Sequence, residues 1–185
     1  MMTIGHSTLA IGSFLRALKE NDCKFLVDVR RYPGSRKYPQ HGQEQLFTSL
    51  NAAGIDAVWR EQLGGRRTAH EDSINRGWRN ESFRGCADYM QTPAFAEQID
   101  WLMGQQELSA VAIMCAEAVP WRCHRSLIGD AVLARGSAVE DLFVLPDGRS
   151  SRKPHLMTPF AQVKGRLVFY PGQLSEQADL MGILP

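Results

Sequence analysis

Residues 23–31, CKFLVDVRR, form a short run that is apolar on both of its alternating faces. Such a strand is buried from two sides, and sheets covered on both faces are parallel ones with helices packed above and below. The rest of the chain repeats the pattern. Apolar runs at 1–5 (MMTIG), 55–62 (IDAVWREQ), 109–116 (SAVAIMCA) and 137–145 (SAVEDLFVL) alternate with segments of helical period. In AIGSFLRALKEND, Ile11, Phe14, Leu15 and Leu18 share one helical face; QEQLFTSLNAAG carries Leu46, Phe47 and Leu50 and stops at Gly54. A helical pattern returns over 86–105, with Pro93 marking a break or a new first turn, and WRCHRSLIGDAVLARG reads as a helix ending at Gly136. Lys164-Gly165 between two β-rich runs predicts a small hairpin. The expectation is α/β: a three-layer α/β/α sandwich with a mainly parallel sheet of about five strands and a small C-terminal β-hairpin. It would form one domain over 1–185, with an irregular, lid-like segment at 64–85.

Composition narrows the function classes. The 185 residues are 44% hydrophobic and 22% charged, with a formal net charge of +1, so bulk charge does not call for nucleic acid. No basic segment followed by an apolar one opens the chain, and no apolar run approaches the ~20 residues of a bilayer span, so no membrane partner is expected. The four cysteines, Cys23, Cys86, Cys115 and Cys123, are expected as reduced thiols in a cytoplasmic protein.

In a parallel sheet the carboxyl ends of the strands share one edge, where ligands bind. Here those ends carry Gly5-His6-Ser7, Asp28-Val29-Arg30, Arg60-Glu61 and Cys115-Ala116-Glu117. Period-two alternation puts Asp28 and Arg30 on one face, and Cys115 and Glu117 on one face. Asp28 and Arg30 orient a ligand or form a structural ion pair. Pro120 favours a first helical turn, which would place Cys123, His124 and Arg125 in the opening turns, where a thiol's pKa falls. Cys123 also fits as a small core residue beside Leu127, and Cys23 and Cys86 read as structural. YPGSRKYP at 32–39 presents Ser35, Arg36 and Lys37, which with Arg30, Arg31 and Arg125 make a cationic mouth suited to phosphate or carboxylate. The 64–85 segment mixes Arg66, Arg67, Arg76, Arg79 and Arg84 with Trp78 and Phe83, a pattern that suits single-stranded nucleic acid or an ordinary lid.

The stretches IGHS, LVDVRRYPGSR, LGG, MCAEAVPWRCHRSLIGDAV and HLMTPFAQVKGRLVFYPG resemble the DUF488 family from Ile4 to about Gly172. The resemblance implies a compact cytoplasmic α/β/α domain without a settled activity. It implies a motif set of His6, Ser7, Asp28, Arg30, Ser35, Arg36, Cys115, Glu117, Cys123, His124 and Arg125. Asp141 stands near a point where relatives carry histidine. Rhodanese-like domains are more faintly similar, through D-V-R and Arg125-Ser126. From Cys115, however, Arg122 falls one position beyond the phosphatase spacing, and Glu117 would repel an oxyanion.

Four functions remain open. The first is a cysteine-dependent hydrolase or transferase acting on an anionic substrate, a nucleotide or nucleic acid being favoured. Arg30, Arg36 and Arg125, with Ser7 and Ser35, would hold the anion. Cys115 or Cys123 would be the nucleophile, His124 or His6 the base, with Glu117 and Asp28 orienting or exchanging protons. The others are a nucleic-acid-binding module, rhodanese-like sulfur transfer, and a zinc site of Cys115, Cys123, His124 and His6. The cysteines lack the CxxC spacing of a structural zinc site, so no metal or cofactor is expected.

Overall fold

The structure, a computed structural model, describes residues 1–172. Its elements run β1 (Met2–Gly5), α1 (Ile11–Glu20), β2 (Phe25–Asp28), α2 (Gln43–Ala52), β3 (Asp56–Trp59), α3 (Glu81–Tyr89), α4 (Pro93–Leu108), β4 (Val111–Cys115), α5 (Arg125–Leu133), β5 (Glu140–Val144), β6 (Ser150–Pro154), β7 (Gln162–Lys164) and β8 (Leu167–Phe169). One six-stranded sheet has the order β3-β2-β4-β1-β5-β6. Strands β1 to β5 are parallel, β6 is antiparallel to β5, and β7 and β8 form the predicted hairpin.

The three layers follow from side-chain alternation. Leu26, Ala112 and Met114 point to one face with Met2 and Ile4, and there Phe14 and Leu18 of α1 and Leu46 and Leu50 of α2 cover them. Val27, Val29, Val111, Ile113 and Cys115 point to the other, against Ala87 of α3, Ile99 and Leu102 of α4 and Leu127 and Ile128 of α5. Each aliphatic side chain so buried contributes about 1.5–3 kcal/mol, so the pattern that makes the central strands also fixes their register. Cys115 therefore belongs to the α5 side of the sheet.

The sixth strand is an addition to the expected five. Its sequence, SSRKP, has no apolar alternation because it lies at an exposed edge, where charged residues discourage further pairing. Asn21 ties it to the end of α1: its amide donates to the Ala17 carbonyl and to Ser150 Oγ, while its oxygen accepts from Arg152. Pro93 opens α4 behind a Thr92 cap, as its position predicts. Pro120 does not open α5. It begins a three-residue 3₁₀ turn, Pro120–Arg122, after which Cys123 is extended, and α5 starts at Arg125. No helix among the described residues is long and apolar enough to cross a membrane.

Candidate thiol–imidazole site

The ends of β1 and β4 are laced together. His6 donates its backbone N–H to the Cys115 carbonyl at 3.0 Å, and Ser7 donates to that of Ala116 at 2.9 Å. Any side chain at position 5 would overlap the Glu117 backbone carbonyl, so Gly5 is what lets the 116–119 loop fold over β1. Arg125 holds the same loop from α5, donating to the Glu117 and Ala118 carbonyls at 2.6 and 2.9 Å.

Under that loop lie two sulfurs and an imidazole. Nδ1 of His124 is 3.9 Å from Cys115 Sγ and 3.8 Å from Cys123 Sγ, and the three donor atoms lie within 4.8 Å of one another. On its far side His124 donates Nε2–H to the Val29 carbonyl at 2.9 Å, which fixes the tautomer and turns Nδ1 toward the sulfurs. Gly65 packs against the ring so closely that a Cβ would stand 2.7 Å from Nδ1. Both cysteines are buried, yet both border a cleft of about 330 Å³ at the carboxyl edge of the sheet. Their protons are shared unevenly. The interaction of one thiol with the other raises the pKa of Cys115 well above the usual range and lowers that of Cys123 well below it. Against the burial cost, His124 and Arg125 help to lower Cys123 further.

Above this floor the cleft is walled by Arg30, Arg31, Arg66 and Arg122, with Tyr32 exposed at the mouth and Glu117 on the rim. Arg31 pairs with Glu61 at 3.4 Å; Arg66 and Arg122 have no ion-pair partner among the described residues. Arg67, from the same basic segment, is turned inward, donating to the Gly64 and Gln62 carbonyls and stacking 3.3 Å over Tyr89.

The structure thus gathers Cys115, Glu117, Cys123, His124 and Arg30 around one cleft. Asp28 is fully buried and grips Arg30 through both carboxylate oxygens, the shortest contact being 2.6 Å. His6 sits behind Arg30: Nη1 of Arg30 donates to His6 Nε2 at 3.3 Å, and His6 donates Nδ1–H to the Ser7 carbonyl. Burial, then His41 and Arg30, push the His6 pKa down to about 3. Four further residues are not brought to the cleft by their side chains. Ser7 faces a separate hollow beside Leu9 and Pro146, and Ser35 and Arg36 face another beside Pro39. Arg125 is 1% exposed and is spent on the loop carbonyls. Arg66, Arg122 and Gly65 are site features that spacing alone did not single out; the Gly64-Gly65 pair after the third strand was the visible signal.

A second polar cluster lies under α5. Asp141 accepts from Thr3 Oγ1 at 2.6 Å and from His155 Nδ1 at 2.8 Å. His155 Nε2 is 3.3 Å from Asp130, which also accepts from the Tyr170 hydroxyl at 2.7 Å. Burial lowers the His155 pKa, but the two carboxylates outweigh it and raise it to about 9. The Asp141 carboxylate is thus paired with a histidine that directly follows β6.

Fold and site together define a parallel-sheet α/β protein with a buried thiol–imidazole group at the carboxyl edge. A family profile, that of DUF488, a domain of unknown function, matches residues 10–132, and the chain belongs to that family. No curated protein and no solved structure matches it.

Proposed function

We propose that the chain is an enzyme, a hydrolase or transferase, that acts on an anionic substrate in this cleft. The reacting groups are Cys115, Cys123 and His124. The observation that carries the reading is their position beneath Arg66 and Arg122, two guanidinium groups without carboxylate partners among the described residues. Arginine forks suit phosphate and carboxylate oxygens, and a buried thiol with a depressed pKa beside an imidazole is a mark of reactive sites. Tyr32, 66% exposed at the mouth, offers a ring for stacking, which favours a nucleotide or a nucleic acid end among phosphate-bearing substrates. Glu117 on the rim is the candidate proton donor or acceptor.

The test is protection. Iodoacetamide labelling of the reduced chain is followed with and without inorganic phosphate, adenosine monophosphate and a short oligonucleotide. A phosphate-bearing compound slows labelling of the cleft cysteines, and an Arg66→Ala/Arg122→Ala double variant loses that protection. Equal labelling with every anion at millimolar concentration would remove the reading.

A further inference from the structure

We infer that Cys115 Sγ, Cys123 Sγ and His124 Nδ1 form a site for a thiophilic divalent cation, zinc foremost, with its fourth coordination position open to the cleft. The distances carry it first. With Zn–S of about 2.3 Å and Zn–N of about 2.0–2.1 Å, a tetrahedral ion holds sulfur and nitrogen ligands about 3.6 Å apart. Nδ1 lies 3.8 and 3.9 Å from the two sulfurs, so each sulfur–nitrogen pair needs to close by only a few tenths of an ångström, and the two sulfurs, within 4.8 Å of each other, need to close to about 3.8 Å. The same distances are long for a thiol–imidazole hydrogen bond, and sulfur is a weak partner in one.

The surroundings agree with ligation. A metal-binding histidine almost always donates its other N–H to a carbonyl or carboxylate, which fixes ring and tautomer. His124 does this to Val29 at 2.9 Å. The ring's other constraint is Gly65, against which it lies flush. Two thiolates and an imidazole select zinc over magnesium or calcium. The three donors come from two segments, the end of β4 and the extended turn before α5, so no compact cysteine motif announces them. Three protein ligands with an open fourth place are the arrangement of a catalytic rather than a structural zinc. Here that place faces Arg66 and Arg122, where an anionic substrate oxygen or a water would sit. His6, proposed with this group on sequence, is excluded from it, because Nε2 faces Arg30 and Nδ1 faces the Ser7 carbonyl. The use of the fourth position rests on the cleft being a reaction site; ion binding itself does not.

The experiment is a cobalt(II) titration of the reduced, metal-free full chain. One equivalent binds, giving thiolate-to-cobalt charge transfer in the near ultraviolet and the intense visible bands of four-coordinate cobalt, and zinc bleaches them. Cys115→Ser, Cys123→Ser and His124→Ala each weaken binding by at least the ~10–100-fold that loss of an outer partner costs. Gly65→Ala, which keeps every donor, weakens it as well, while Cys23→Ser and Cys86→Ser do not. A faint six-coordinate spectrum with the wild-type chain, or equal affinity in the two ligand-cysteine variants, overturns the inference. If cobalt binds and no anion protects the cysteines, the substrate reading fails and the metal site stands; the converse result removes the metal site alone.

Discussion

The Arg125 guanidinium is spent on backbone: Nη1 donates to the Glu117 carbonyl at 2.6 Å, and Nη2 reaches the next carbonyl, that of Ala118, at 2.9 Å. It therefore shapes the loop over the thiols rather than receiving a ligand. Arg125→Met should lose about 2–4 kcal/mol, since two charge-assisted hydrogen bonds vanish and the loop loosens. Arg125→Lys should fall between, because one ammonium cannot span both acceptors in the same geometry. Urea midpoints measure both. A variant as stable as wild type that no longer showed phosphate protection would assign Arg125 to the substrate instead.

Gly5→Ala should be worse than Arg125→Met. The new methyl would overlap a backbone carbonyl, that of Glu117, and no side chain can swing away to make room. Strand β1 is central in the sheet, so relief requires shifting either the strand or the loop. Little folded protein, or a midpoint lowered by several kcal/mol, is expected; an unchanged midpoint would mean that the loop does not pack on β1 in solution.

In the metal-free protein the shared proton should make the two cleft thiols unequal. Cys123, with its pKa pulled down, is alkylated first at neutral pH, and Cys115 reacts only as pH rises. Burial pushes Cys23 up to about 11 and raises Cys86, so Cys23 stays unmodified until the chain unfolds and Cys86, which also borders the cleft, reacts more slowly than Cys123. Peptide mapping of labelling rates against pH reads this directly. Equal rates at all four cysteines would dissolve the pair.

The sheet was legible because its cause is local. CKFLVDVRR and SAVAIMCA are apolar on both faces, and no other arrangement buries both. The same alternation placed Cys115 at a strand end, and Lys164-Gly165 marked the hairpin. Four features had no local cause to read. Strand β6 is polar, and only pairing with β5 defines it. The start of α5 was set too early, because Pro120 suits a first turn of either helix type and the chain chose a 3₁₀ turn. The sequence assigns Arg125 and not Arg122 to the anion, and only the fold, which turns Arg125 inward and leaves Arg122 on the cleft, reverses that. The Asp130–Asp141–His155–Tyr170 cluster joins α5, β5 and the residues just after β6 and β8, which no spacing rule connects.

Two histidines should give stability an optimum with separable limbs. His155 titrates near 6.5 when unfolded and near 9 in the fold. Its contribution is therefore complete below 6.5 and is lost as pH rises through about 9; a shift of that size corresponds to about 3 kcal/mol. His6 runs the other way. Held neutral to about 3 by burial and by the charge of Arg30, it lets the unfolded chain take up a proton that the folded chain refuses. Its contribution is present above 6.5 and drains away as pH falls toward 3. Melting temperatures from about pH 4 to about pH 10 should trace both limbs. His155→Gln should flatten the alkaline limb and lower stability at neutral pH, since Asp130 and Asp141 lose the cation between them. His6→Gln should flatten the acid limb and leave the alkaline one intact. If His155→Gln kept the wild-type alkaline slope, the buried histidine would not be the charged member of its cluster.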